Sequence, residues 1–208
     1  MIEKILPSWV TSVEAFDDPA GVTLFPEEEQ YIARAVDKRR REFTTARYCA
    51  RQAMARLGVP PAAIVPGERG APGWPPGVVG AITHCDGYRA AALSLTAVTV
   101  GIDAEPNAPL PDGVLDTIAL PAERRALTEL DGPAHWDRLL FSAKESVYKA
   151  WFPLARRWLG FEEAEISLDP GGTFAARFLV PGPRGLTGFD GRWLCESGLV
   201  VTAITLPD

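Results

Sequence analysis

Apolar residues recur along this chain with two distinct periods. Ile32, Val36, Phe43, Ala46, Ala50, Met54 and Leu57 are spaced by three, four and seven, which predicts one buried face of a long helix. Pro26 with Glu27, Glu28 and Glu29 supplies its start signal, and Gly58 followed by Pro60 its stop. Trp136, Leu140, Ala143, Val147, Trp151 and Leu154 predict a second helix over 134–152, with a shorter one over 121–130 before it. Elsewhere the pattern is that of strands. Val78–His84, Tyr88–Leu95 and Val98–Asp103 are three short β-type runs, and Asp86-Gly87 is a hairpin turn between the first two. Ala164–Leu168, Phe174–Leu179, Gly191–Glu196 and Leu199–Thr205 predict four more, with Ser197-Gly198 turning the last pair. Residues 4–25 carry strand and loop character.

A Pro/Gly-rich link occupies residues 60–77, and Pro106-Asn107-Ala108-Pro109-Leu110-Pro111 resembles a linker. This order of strands and helices predicts an α+β protein of two halves of similar size, 1–107 and 108–208, with a seam near 106–112. No sequence repeat joins them.

Composition narrows the class. With 208 residues, 47% hydrophobic and 23% charged, the chain can bury a core, which excludes a disordered or fibrous protein. A net charge of −6 argues against a general nucleic-acid binder. No apolar run reaches the length of a membrane span, and the first residues lack the order of a signal peptide, so a cytoplasmic protein is expected. Cys49, Cys85 and Cys195 are odd in number, far apart and in no CxxC pair, which predicts reduced thiols rather than a zinc site or disulfide.

The acidity hides a local reversal. Residues 34–56 carry eight basic groups against Asp37 and Glu42, a window of +6 that leaves −12 for the remainder. At about 100° per residue, Arg40, Arg47 and Arg51 form a narrow stripe flanking the apolar face rather than opposing it. A solvated basic face and an anion-binding ledge both suit this arrangement, and the ledge would fit a small polyanion better than a duplex.

Candidate chemistry lies at three places. Asp103 and Glu105 end a β run, and side chains at i and i+2 point the same way, so the two carboxylates converge. Converging carboxylates repel unless a cation or proton joins them, and a hard cation such as Mg²⁺ is the usual partner beside phosphates. Glu145 and Lys149 lie one helical turn apart, off the apolar face and beside Ser142 and Arg138, either as a surface pair or as a third carboxylate with a phosphate-binding lysine. His84 ends a strand just before the Cys85-Asp86-Gly87 turn, where a side chain can face a cleft. The chain has no P-loop, G-x-S-x-G, HExxH or dinucleotide fingerprint, which removes the usual support for hydrolase triads and Rossmann oxidoreductases.

The series of basic helix, Gly-x-Pro link, Thr83-His84, Gly101-Ile102-Asp103-x-Glu105, Trp136 and Phe141-Ser-x-Lys144-Glu145-Ser146-x-x-Lys149 resembles the 4′-phosphopantetheinyl transferases. The resemblance spans about residues 38–160 and is to the enterobactin-synthetase/surfactin-synthetase type, in which two similar halves form a pseudo-dimer within one chain. It implies a monomer that moves the phosphopantetheine arm of coenzyme A to a serine of an acyl- or peptidyl-carrier protein, releasing adenosine 3′,5′-bisphosphate. Nucleic acid and membrane are not among the implied partners, and siderophore, polyketide or nonribosomal peptide synthesis is the implied setting. It also implies Mg²⁺, or Mn²⁺ in its place, held by Asp103, Glu105 and Glu145. His84 matches a histidine contacting coenzyme A phosphate, with Thr83 in place of the more usual serine. Lys149 and Lys144 match lysines near the diphosphate. The stripe of Arg40, Arg47 and Arg51 matches the basic region, with Arg47 or Arg51 at the 3′-phosphate. Ala71 stands where many members have Lys, and Arg69 is the nearby substitute. The resemblance further implies that Glu145, Glu105 and Lys149 carry the catalytic work, with Glu145 or a metal-bound water held by Glu105 as the candidate proton acceptor. A Mg²⁺-dependent nucleotide phosphohydrolase and a non-catalytic coenzyme A or nucleic-acid binder are the alternatives from other classes.

Overall fold

The computed structural model describes residues 1–208. Its first sheet is antiparallel with order β1-β3-β2, where β1 is Thr11–Ala15, β2 Val79–Cys85 and β3 Tyr88–Ser94. The second, also antiparallel, runs β4-β8-β7-β6-β5. Its strands are β4 (Ala97–Pro106), β5 (Ala164–Asp169), β6 (Thr173–Phe178), β7 (Gly188–Glu196) and β8 (Leu199–Pro207). One helix of 20 residues packs on each sheet, α2 (Asp37–Arg56) on the first and α5 (Trp136–Ala155) on the second. Three short helices complete the chain: α1 (Pro26–Tyr31), α3 (Val114–Ile118) and α4 (Pro121–Leu127). The α+β expectation holds, and each half pairs one long helix with one antiparallel sheet.

Strand alternation distributes side chains between layers. On β3, Ala91 and Leu93 meet Cys49, Ala50, Ala53 and Met54 of α2. Tyr88, Ala90 and Ala92 face the opposite way, toward Val100, Ile102 and Ala104 of β4 and the N-terminal Ile2 and Ile5. The other face of the second sheet receives Leu140, Ala143, Val147 and Trp151 of α5.

Three expectations need correction. The start signal at Pro26 opens a separate helix: α1 ends at Tyr31, α2 begins at Asp37, and Val36 is 73% exposed instead of lying on the apolar face. The chain turns there so that Glu28 and Glu29 fold back onto Arg51 and Arg40, a tertiary pairing that overrides the helix propensity of residues 32–36. The run Val98–Asp103 extends to Pro106 and belongs to the second sheet, so the sheets divide near Leu95-Thr96, ahead of 106–112. That segment is no free linker. Asn107 bonds the Pro133 carbonyl and His135 amide, and Asp137 accepts from the Leu110 amide, tying it to the start of α5.

The contact of β4 with α5 positions the chemistry. A Cβ on Gly101 would lie 2.1 Å from the Ser146 carbonyl oxygen and 2.8 Å from the Ala150 amide nitrogen, so only glycine permits this approach. Gly101→Ala is therefore expected to destabilise the protein by about 2–3 kcal/mol, since backbone rather than a flexible side chain must give way. A denaturant titration checks this, and a midpoint equal to the wild type contradicts it.

Candidate active site

Asp103 and Glu105 follow Gly101 on the face of β4 that α5 covers, while the intervening Ile102 and Ala104 point into the core between the sheets. Asp103 Oδ1 accepts hydrogen bonds from Lys149 Nζ at 2.7 Å and from Thr83 Oγ1 at 3.3 Å. The Thr83 hydroxyl also accepts from the Ala104 amide at 3.1 Å, so it pins β2 to β4 beside the acid. Glu105 Oε2 accepts from Arg138 Nη1 at 3.0 Å, and Arg138 is itself held by the Ala108 and Pro109 carbonyls.

Burial, joined by repulsion from Asp103, raises the Glu105 carboxyl above its ordinary range, with Arg138 and Lys149 acting against the rise. Burial likewise raises Glu145, opposed by Lys149 and reinforced by Asp103. The three carboxylates thus share the β4–α5 face, but no group of three His, Cys, Asp or Glu side chains closes into a metal cage. Lys149 and Arg138 pair with two of the acids instead. The donor chemistry still fits a hard divalent cation, because Asp103 Oδ2 is buried without any partner and its neighbours are carboxylates that repel it.

Cations gather around His84. His84 Nε2 lies 2.7 Å from Arg39 Nη1, which can only donate, so the imidazole proton sits on Nδ1, 3.5 Å from Glu42 Oε2. Burial first, then Arg39, Lys149, Arg89 and Arg47, lower the His84 pKa to about 4. A folded-state value below the ordinary ~6.5 makes the neutral ring a source of stability above that pH. That stability is lost as the pH falls from there through 4. An NMR titration should find the ring resonances moving near pH 4, and a midpoint above 6 would contradict this environment.

The arginine stripe divides. Arg40 pairs with Glu29 at 2.7 Å and the Ile32 carbonyl at 3.1 Å, and Arg51 with Glu28 at 2.9 Å and the Thr23 carbonyl at 2.9 Å, so α1 takes up both. Arg47 keeps its end groups free of carboxylates. Its Nε donates to the Ile64 carbonyl at 3.2 Å, and its guanidinium lies 3.6 Å from the Phe43 ring centroid. Burial lowers its pKa to about 10, which leaves it charged at neutral pH. Arg69 adopts a left-handed backbone conformation and lies over Trp158 at 5.5 Å.

Lys144 departs from its expected place at the diphosphate. Its Nζ donates to the Phe161 carbonyl (2.8 Å) and the Ala164 carbonyl (2.9 Å) and meets Glu123 Oε1 at 2.9 Å, so all three donors are used inside the protein. The five-residue separation from Lys149 turns it about 140° around α5, away from Asp103.

Sequence reasoning missed Arg39, Glu42 and Arg89. Arg89 was within reach, because a two-residue Asp86-Gly87 hairpin pairs Cys85 with Tyr88 and then His84 with Arg89. Arg39 sits within Lys38-Arg39-Arg40-Arg41, and only the packing of α2 beside β2 selects which of the four meets His84. Cysteine nucleophiles are disfavoured, since burial pushes the Cys49 thiol up to about 11 and Cys85 up to about 12.

Buried acids at the β4–α5 contact, a histidine surrounded by cations and no activated nucleophile suit direct transfer of a phosphorylated group. Family models agree with that class: residues 27–94 match the 4′-phosphopantetheinyl transferase N-terminal domain, and residues 99–197 match the 4′-phosphopantetheinyl transferase superfamily. The chain belongs to the 4′-phosphopantetheinyl transferase family, enzymes that move the phosphopantetheine arm of coenzyme A to carrier proteins. It is similar along its whole length to 4′-phosphopantetheinyl transferase Svp of Streptomyces mobaraensis, at 56% identity over 99% of this chain and 89% of the relative. Npt of Nocardia iowensis is 55% identical over 98% of this chain and 99% of its own. PptT of Mycobacterium tuberculosis is 49% identical over 99% and 98%. No helix is long and apolar enough to cross a membrane.

Proposed function

We propose that this transferase works by direct, metal-assisted transfer at the β4–α5 face, with Asp103, Glu105 and Glu145 holding Mg²⁺ or Mn²⁺. The observation that carries this is the buried, unpartnered Oδ2 of Asp103. Bound there, the ion would neutralise diphosphate charge during transfer. Arg39, Arg47, His84 and Lys149 bind and orient the phosphates of coenzyme A, with Arg47 serving the 3′-phosphate in preference to Arg51, whose guanidinium is engaged by Glu28. Glu145 takes the proton from the carrier serine hydroxyl. It is better suited than Glu105, whose Oε2 is tied to Arg138. The enzyme is a cytoplasmic monomer of the enterobactin-synthetase/surfactin-synthetase type acting in secondary metabolism.

Loading tests the metal and the reaction together. Incubation with coenzyme A, Mg²⁺ and an apo-carrier protein should add the arm to the carrier by mass spectrometry. A chelator should abolish the gain, and Mg²⁺ or Mn²⁺ should restore it. Full loading in chelator rejects the metal. Release of adenosine 3′,5′-bisphosphate without any carrier would favour the phosphohydrolase.

A further inference from the structure

The proposed chemistry leaves the buried pair of Lys144 and Glu123 without a task. Their side chains are 2% and 1% exposed and 2.9 Å apart. Desolvation offsets most of the attraction in such a pair, so net stability is a weak reason for it. Its hydrogen bonds show what it fastens. Glu123 Oε1 accepts from the Ile166 amide at 2.7 Å and Oε2 from the Leu120 amide at 2.6 Å, joining β5 to the start of α4. Lys144 reaches the carbonyls of Phe161 and Ala164, and these are the only hydrogen bonds from α5 side chains to residues 159–164.

That segment forms a wall. Leu159, Gly160 and Phe161, with Tyr148 and Trp158, line a pocket that Lys144 and the next residue, Glu145, also line. The pair therefore fixes at once the turn of α5 that carries Glu145 and the wall facing it. We propose that Lys144 and Glu123 are positioning residues, which set the pocket wall against Glu145 and so govern the rate of transfer without meeting the phosphates of coenzyme A. This rests on Glu145 belonging to the transfer site.

The test is carrier loading by Lys144→Met and by the apolar double variant Lys144→Met with Glu123→Leu, alongside wild type and Glu145→Ala. Coenzyme A affinity is measured separately by calorimetry. Displacing a reacting group by about 1 Å costs on the order of a hundredfold, so kcat should fall about tenfold to a hundredfold. The coenzyme A Kd should stay within about twofold of wild type, because the cations of α2 and β2 are untouched. Ile204→Val, a core variant on β8, controls for destabilisation alone and should keep its kcat. A kcat within twofold of wild type overturns the proposal, and so does a tenfold loss of coenzyme A affinity, which would mark Lys144 as a phosphate ligand. Should both Met variants fail to fold, Lys144→Arg decides. Its planar fork cannot serve the same three acceptors, so kcat should fall at least about fivefold at unchanged Kd, and full kcat overturns the proposal. Full turnover by Glu145→Ala would remove the site itself and overturn both.

Discussion

Asp103→Asn is expected to lower kcat/KM by about a thousandfold while leaving the protein folded, the scale seen when a preorganised electrostatic contact to the reacting phosphate is removed. The substitution keeps the shape of the side chain and the acceptor facing Lys149 and Thr83, but removes the charge from the carboxylate whose second oxygen has no partner. Stability should change little, because the lost attraction to Lys149 is countered by relief of repulsion. Asp103 is the charge that helps hold both the Glu105 and Glu145 carboxyls above their ordinary range. Circular dichroism and a thermal scan establish the fold, and single-turnover loading of a carrier gives the rate. Retention of a tenth of wild-type turnover would place the metal and the chemistry elsewhere.

The parts of this site that sequence periodicity fixes are those on a single element. Asp103 and Glu105 share a strand face because strands alternate, and Glu145 and Lys149 share a helix face because they are four apart. That β4 lies under α5 was not so accessible. Successive β-type runs favour pairing β4 beside β3, whereas β4 joins β8, about a hundred residues later in the chain. Adjacency also misled at Lys144. Sharing a short motif with Glu145 suggests a shared task, but helix geometry sends neighbours about 100° apart, and the Lys144 partner comes from α4, which no local pattern places. The break before α2 has the same origin, since it depends on Glu28 and Glu29 finding Arg51 and Arg40 rather than on any residue at the break.

The division of the arginine stripe leads to the second large effect. Arg40 and Arg51 are paired with α1, so Arg47 is the stripe's one guanidinium without a carboxylate partner, and the proposed site gives it the 3′-phosphate. Arg47→Met should raise the KM for coenzyme A about thirtyfold to a hundredfold, the loss expected for charge-assisted hydrogen bonds of about 2–3 kcal/mol, and change kcat little. The same variant should lose most of its preference for coenzyme A over the analogue lacking the 3′-phosphate, since the missing phosphate and the missing guanidinium remove the same interaction. Stability works in the opposite direction. Arg47 is buried against Phe43, its cation is desolvated, and its one internal bond is to the Ile64 carbonyl. A methionine of similar length restores the packing without a buried charge, so the midpoint of denaturation should match or exceed that of the wild type. Arg51→Met inverts this pattern: it leaves Glu28, a fully buried carboxylate, without its direct ion-pair partner, and should cost about 3 kcal/mol of stability while the KM stays near the wild-type value. Equal KM increases from the two substitutions would mean that coenzyme A draws Arg51 away from Glu28, and the assignment of the 3′-phosphate to Arg47 alone would fail.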